Sequence, residues 1–253
     1  MRANSMVTAL ALSFLPIMAL RSQAPNSTSH TSIEQMPQQL ETRWALSALP
    51  PALRDKATVL VLEPTKGYRL ARQGTNGLTC FVERTAWELV DYRNDIYIPL
   101  CYDPAGVKTL ARVKMDAAAL RAQGMGPAAL KAEIERRYDT KVYTAPERPG
   151  VSYMISPVFR TIGPPDLKVH TMAMPHLMFY APFVTNEDIA AAPDLADPSS
   201  LQYPFIDRQG IDQQSVMIQM VGDAEKATIL AREKTLIADL CAYRRILCLA
   251  HSR

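Results

Sequence analysis

The chain is poor in the residues that build common catalytic and metal centres, and the few it has are badly spaced for them. Four cysteines stand among 253 residues and none forms a Cys-x-x-Cys arm, which argues against structural zinc. There are four histidines; His170 and His176 lie in a His-x5-His spacing that suits neither a helix face nor a strand face, even with Asp103 as a third ligand. No metal and no cofactor is therefore expected. Ser156 precedes Pro157 and lacks the Gly-x-Ser-x-Gly elbow of a serine hydrolase. Gly74, Gly77 and Gly106 form no phosphate-cradling loop. Long basic runs are also missing. Arg136-Arg137 and Arg244-Arg245 are isolated pairs that read as solvated helix faces, so no nucleic-acid partner is expected.

The N-terminus has a character of its own. Arg2 precedes the uncharged apolar run Val7 to Leu20, whose 14 residues match a signal-peptide core and fall short of a bilayer span. A small-x-small site follows at Ser22-Gln23-Ala24, with Pro25 an awkward neighbour for cleavage. Export, with residues 1–24 as leader, is favoured over an anchored or buried helix. Without Arg2 and Arg21 the formal charge falls from +3 to +1, so the basicity of the chain is mostly that of the leader. The expected location is extracytoplasmic, periplasmic or secreted, with no membrane association beyond the leader.

Cysteine usage fits an oxidising compartment. A Cys80–Cys101 disulfide is a serious candidate. Cys241 and Cys248 are seven apart in what reads as one helix, where about 1.5 Å of rise per residue separates their Cα atoms by roughly 10 Å. A disulfide tolerates about 7 Å, so a continuous helix would keep these two apart.

Beyond a polar stretch at 25–43, expected to be a flexible lead-in, the pattern is that of one domain over 44–253, with no internal repeat and no break in composition. Two prolines in WALSALPPALRDKA limit any helix there to short pieces. ATVLVLEP, YRLARQG and LTCFVERT alternate like strands around the turn signals TKG and TNG, and a three-strand antiparallel meander is the simplest account. Leu78, Cys80 and Val82 fall on one face. IYIPLCYD reads as a strand stopped by a turn at Asp103 to Gly106. VKTLARVKMDAAALRAQG and GPAALKAEIERRYD carry helical spacing, with Pro127 at a helix start. RPGVSYMISP, DLKVHTMAM, HLMFYAPFV and SVMIQMVG return to strand character. TNEDIAAAP suggests a helical turn capped by Thr185 or Asn186. The segment 193–214 reads as a loop, and the C-terminal stretch as a helix. The expected fold class is α+β: a single domain with an antiparallel or mixed β-sheet covered by helices.

In PHLMFYAP, His176 opens an apolar, aromatic strand and shares a face with Met178 and Tyr180, while Leu177, Phe179 and Ala181 point the other way. The simple reading is a strand-end histidine with one satisfied hydrogen bond. A catalytic reading needs Cys80 at a helix N-terminus, where the dipole favours thiolate, with His176 as base and Asp188 or Asn186 orienting its ring. GLTCFV with PHLMFY resembles the papain-like cell-wall peptidases of exported bacterial proteins, which implies a thiol hydrolase acting on a peptide or amide. The match departs at Phe81-Val82, where that family carries Ser-Gly. GTNGLTC, the Tyr153 to Ser156 run and PHLMFYAP together resemble a group of exported bacterial proteins of unassigned activity, which implies export and no mechanism. The expectation is therefore a non-catalytic domain binding a small ligand or a cell-surface component through its sheet and the 193–214 loop. The Cys80–His176 thiol hydrolase is the alternative.

Overall fold

Alternating apolar residues build the centre of the molecule. In the computed structural model, which describes residues 33–209 and 213–250, β1 (Thr58–Glu63), β2 (Gly67–Arg72), β3 (Thr79–Glu83) and β4 (Ile98–Tyr102) form one half of an eight-stranded sheet. β5 (Val151–Met154), β8 (His176–Tyr180), β10 (Val216–Met220) and β9 (Phe205–Asp207) complete it in the order β2-β1-β3-β4-β5-β8-β10-β9. β6 (Phe159–Gly163) and β7 (Lys168–Met172) pair as a separate ribbon. The leader expected at 1–24 lies outside the described residues.

The sheet is mixed. β1 and β2 form the expected hairpin, but β3 pairs with β1 in parallel, Thr58 opposite Thr79 and Val59 opposite Cys80. The expected meander is thus corrected. TNG does not close a hairpin; it belongs to a return loop held from below. The backbone N–H groups of Thr75 and Asn76 donate to the Lys56 carbonyl at 2.7 and 3.1 Å, and the Asn76 amide donates to the Leu53 carbonyl at 2.8 Å.

Helices cover the β1–β4 half on both sides. On one face α1 (Gln38–Ser47) and α7 (Lys234–Tyr243) bury Trp44, Leu49, Leu236 and Leu240 against Val59, Cys80, Val82 and Cys101. Residues 38–43 were expected in a flexible lead-in; docking of this face makes them helical, and Met36 and Glu41 are buried. On the other face a π-turn at 107–111 runs into α4 (Arg112–Ala122), which packs over Phe81, Leu100, Tyr102 and Met154. The outer side of α4 meets α5 (Pro127–Asp139) through Val113, Ala117, Leu130 and Ile134. The short α2 (Pro51–Arg54) and α6 (Asp223–Arg232) complete the covering helices. The expected turn at Asp103 to Gly106 is the start of this helical region, α3 (Pro104–Gly106): the Asp103 Oδ1 accepts from the Gly106 N–H at 2.8 Å, with Pro104 in the first helical position. Asp103 also accepts from the Tyr180 hydroxyl at 3.0 Å, and a Cβ at Gly106 would collide with that hydroxyl.

Both cysteine pairs are bridged. Cys80 and Cys101 face each other across β3 and β4, with Cα atoms 4.0 Å apart. Cys241 and Cys248 are also joined, against the expectation from a continuous helix. The helix stops at Tyr243, Arg244 is extended, and the chain folds back until the two Cα atoms are 4.4 Å apart. Arg244 holds that return by donating to the Tyr97 hydroxyl at 2.7 Å and the Asn94 carbonyl at 3.0 Å. The Cys80–Cys101 bridge closes 21 residues and the Cys241–Cys248 bridge seven. Loop-closure entropy then predicts that replacing Cys80 and Cys101 by alanine costs about 3 kcal/mol, more than replacing Cys241 and Cys248. Urea midpoints of the two double variants measure the order.

Candidate functional site

The structure does not bring Cys80, His176 and Asp188 together. Cys80 lies mid-strand, fully buried and disulfide-bonded, and no free cysteine occurs among the described residues. Register puts His176 on the opposite face. Cys80, Cys101, Tyr153 and Leu177 form one cross-sheet row, and His176 is offset from it by one residue. Three strand spacings, roughly 14 Å, also separate β3 from β8. The thiolate at a helix N-terminus is thus replaced by an inert bridge, and no Cys–His pair forms. His176 is a buried strand-end residue whose Nδ1 lies 2.6 Å from the Met174 carbonyl, with its ring edge-on to Phe159. Burial lowers its pKa, against the opposing pull of that carbonyl, and keeps the ring neutral. Asp188 belongs to a capping box: its Oδ2 accepts from the Thr185 N–H at 2.8 Å, and the Thr185 hydroxyl accepts from the Asp188 N–H at 3.3 Å.

The other half of the sheet is only partly covered. Val151 and Tyr153 of β5, Leu177 and Phe179 of β8, and Met217 and Gln219 of β10 share one face by register, and none of the six is buried. Phe179, at 37 % exposure, is the most open of its strand. The 181–204 segment follows β8 and closes the β9 edge. The Asn186 side chain pairs with Ile206 as a strand would, accepting from its N–H at 2.7 Å and donating to its carbonyl at 3.1 Å. The expected 193–214 loop thus contains a strand, β9. Phe183 and Tyr203 on this segment are 67 % and 75 % exposed. Between residues 181 and 207 there are five carboxylates, Glu187, Asp188, Asp194, Asp197 and Asp207, all exposed, and no Lys or Arg.

Sequence reasoning missed a set of buried charges. Glu83, at the end of β3, is 2 % exposed, and its Oε2 meets Lys114 Nζ of α4 at 2.7 Å. Beside it Arg208, in the left-handed region, pairs with Glu88 and donates to Gln214 Oε1 at 2.9 Å. This fastens the segment after β9 to the loop after β3. Burial raises the Glu83 pKa against the pull of Lys114. Burial also opposes ionisation of Glu88, yet Arg208 and Lys114 hold its pKa down. Single charged residues at the ends of strands look solvated in a sequence, so no pattern announces this cluster.

Under α1, Glu41 accepts from the Leu62 N–H at 2.9 Å through Oε1, while its Oε2 has no hydrogen-bond partner among the described residues. Burial pushes its pKa up to about 7. A carboxyl raised in the folded state supports folding fully below its unfolded pKa and loses that support as pH rises through the folded value. Stability of Glu41→Gln relative to the parent chain should therefore rise between pH 4.5 and above pH 7, by on the order of 3 kcal/mol. Urea titrations at fixed pH steps check this; parallel curves would show that Glu41 does not titrate there.

Two open grooves of about 420 and 260 Å³ lie on the α1 side, the first beside β2 and the second between α1 and α6–α7. No group of metal-ligating side chains and no helix long and apolar enough to cross a membrane occurs among the described residues. Comparison with protein-family models, curated proteins and solved structures finds no match to this chain.

Proposed function

We propose that this chain is an exported bacterial protein whose α+β domain works outside the cytoplasm as a non-catalytic binding module. Two disulfides suit an oxidising compartment, and the expected leader at 1–24 suits export. The observation that carries the binding reading is the partly covered strip of β5, β8 and β10, open at Phe179, together with an acidic segment that carries two exposed aromatics. An apolar surface of this kind next to polar loops is the usual mark of a macromolecular contact. Five carboxylates and no basic residue along 181–207 select a partner whose own apolar patch is rimmed by Lys or Arg. We read that partner as a protein surface component.

A fluorescein-labelled peptide alternating Lys and Leu is the probe. It should bind saturably by anisotropy and weaken in high salt, because exposed charges are screened there. Phe179→Asp, with its circular dichroism unchanged, should lower affinity about tenfold. Asp194→Asn with Asp197→Asn should flatten the salt dependence while sparing the fold. Absence of binding, or equal binding by Phe179→Asp, would overturn this assignment of the surface.

A further inference from the structure

The two disulfides differ in what surrounds them. Cys80 and Cys101 have no exposure and lie under α1, with Cys101 Sγ 3.4 Å from the Ala45 carbonyl oxygen. Cys241 and Cys248 are both partly exposed, and Ala242 and Arg245 within their loop are open to solvent. A reductant therefore meets the second bridge on the folded molecule, and the first only after α1 has lifted from the sheet. Loop length acts in the same direction. A bridge that closes seven residues stabilises the fold less than one that closes 21.

Charge inside the loop favours exchange there. Arg245 forms no ion pair among the described residues, and its carbonyl accepts from the Cys248 N–H at 3.1 Å. A guanidinium one turn from a cysteine stabilises the thiolate that departs when the bond is broken, and a lower thiol pKa speeds that departure. The same loop also ties several parts of the molecule together. Besides the hold of Arg244 on Asn94 and Tyr97, the Thr171 hydroxyl of β7 donates to the Ile246 carbonyl. Leu247 has no exposure and joins the core cluster of Trp44, Leu236 and Leu240.

The structure assigns Cys241–Cys248 as a thiol-exchange site for a dithiol oxidoreductase, and the 244–249 return as the latch that exchange opens. A thiolate of the dithiol attacks one bridge sulfur to form a mixed disulfide, and the other bridge sulfur leaves as a thiolate and is protonated. The second thiol of the dithiol then displaces the first cysteine. Two electrons and two protons pass to Cys241 and Cys248, and the dithiol ends as a disulfide. The return loses its covalent tie to α7 while Cys80–Cys101 still holds the sheet. This device uses neither the β5–β8–β10 strip nor the acidic segment.

Dithiothreitol is the probe, applied at neutral pH without denaturant to the chain with both bridges formed, followed by maleimide trapping and peptide mass spectrometry. Cys241 and Cys248 should be labelled faster than Cys80 and Cys101 by about tenfold or more. Trypsin cleavage after Arg244 and Arg245 should rise about tenfold on reduction, with far-UV circular dichroism unchanged, because the open return samples extended conformations. Cys241→Ser with Cys248→Ser should show the same cleavage without reductant. Arg245→Glu should slow the first labelling severalfold. Equal labelling of the two pairs, earlier labelling of Cys80 and Cys101, unchanged cleavage after reduction, or an unaffected rate in Arg245→Glu would each overturn the proposal. Labelling and cleavage of the unaltered chain need no variant, so the test stands even where a substitution prevents folding.

Discussion

The pairing of Cys80 with Cys101 across adjacent strands governs much of what the molecule can do. It locks the register of β3 on β4, and through the row Cys80, Cys101, Tyr153 and Leu177 it determines which side chains face α1 and which face α4. A slip by one residue would turn every one of these side chains to the other face. The same bond removes the thiol that a cysteine hydrolase would need. One covalent contact thereby organises the sheet and withdraws the best nucleophile in the chain.

Cover over the sheet is uneven. Around β1 to β4 the layers run from α1 and α7, through the sheet, to α4 and then α5, and the interior there includes Trp44 and Phe81 with no exposure. Around β5, β8 and β10 the cover is thinner: Tyr153 reaches the α1–α7 core and Met154 and Met178 the opposite one, while Leu177, Phe179, Met217 and Gln219 stay partly or largely exposed. The well-packed half supplies rigidity. The less covered half supplies surface, with an acidic margin along 181–207.

Much of this was legible in the amino-acid pattern. Period-two alternation located the strands at Leu78–Val82 and His176–Tyr180 and assigned their faces, because that alternation is local. Helical spacing, with Pro127 at a helix start, located α4 and α5 for the same reason. The parallel pairing of β1 with β3 was not legible, since it depends on a return loop anchored to Lys56 and Leu53 rather than on a turn. Nor was α1, whose first turn is polar and becomes ordered by docking. The Cys241–Cys248 bridge escaped because no glycine or proline marks the end of α7; Arg244 ends it through contacts to Asn94 and Tyr97, remote in sequence. Glu83, Lys114, Glu88 and Arg208 are separated along the chain, and only the fold makes them one cluster.

The side chain of Asn186 has an effect beyond the loop it orders. By filling the hydrogen-bonding positions of Ile206 it closes the β9 end of the eight-stranded sheet. Stacking of strand on strand into a fibre needs two open ends on every molecule. A body whose β9 end is closed in this way offers no template there for a further strand.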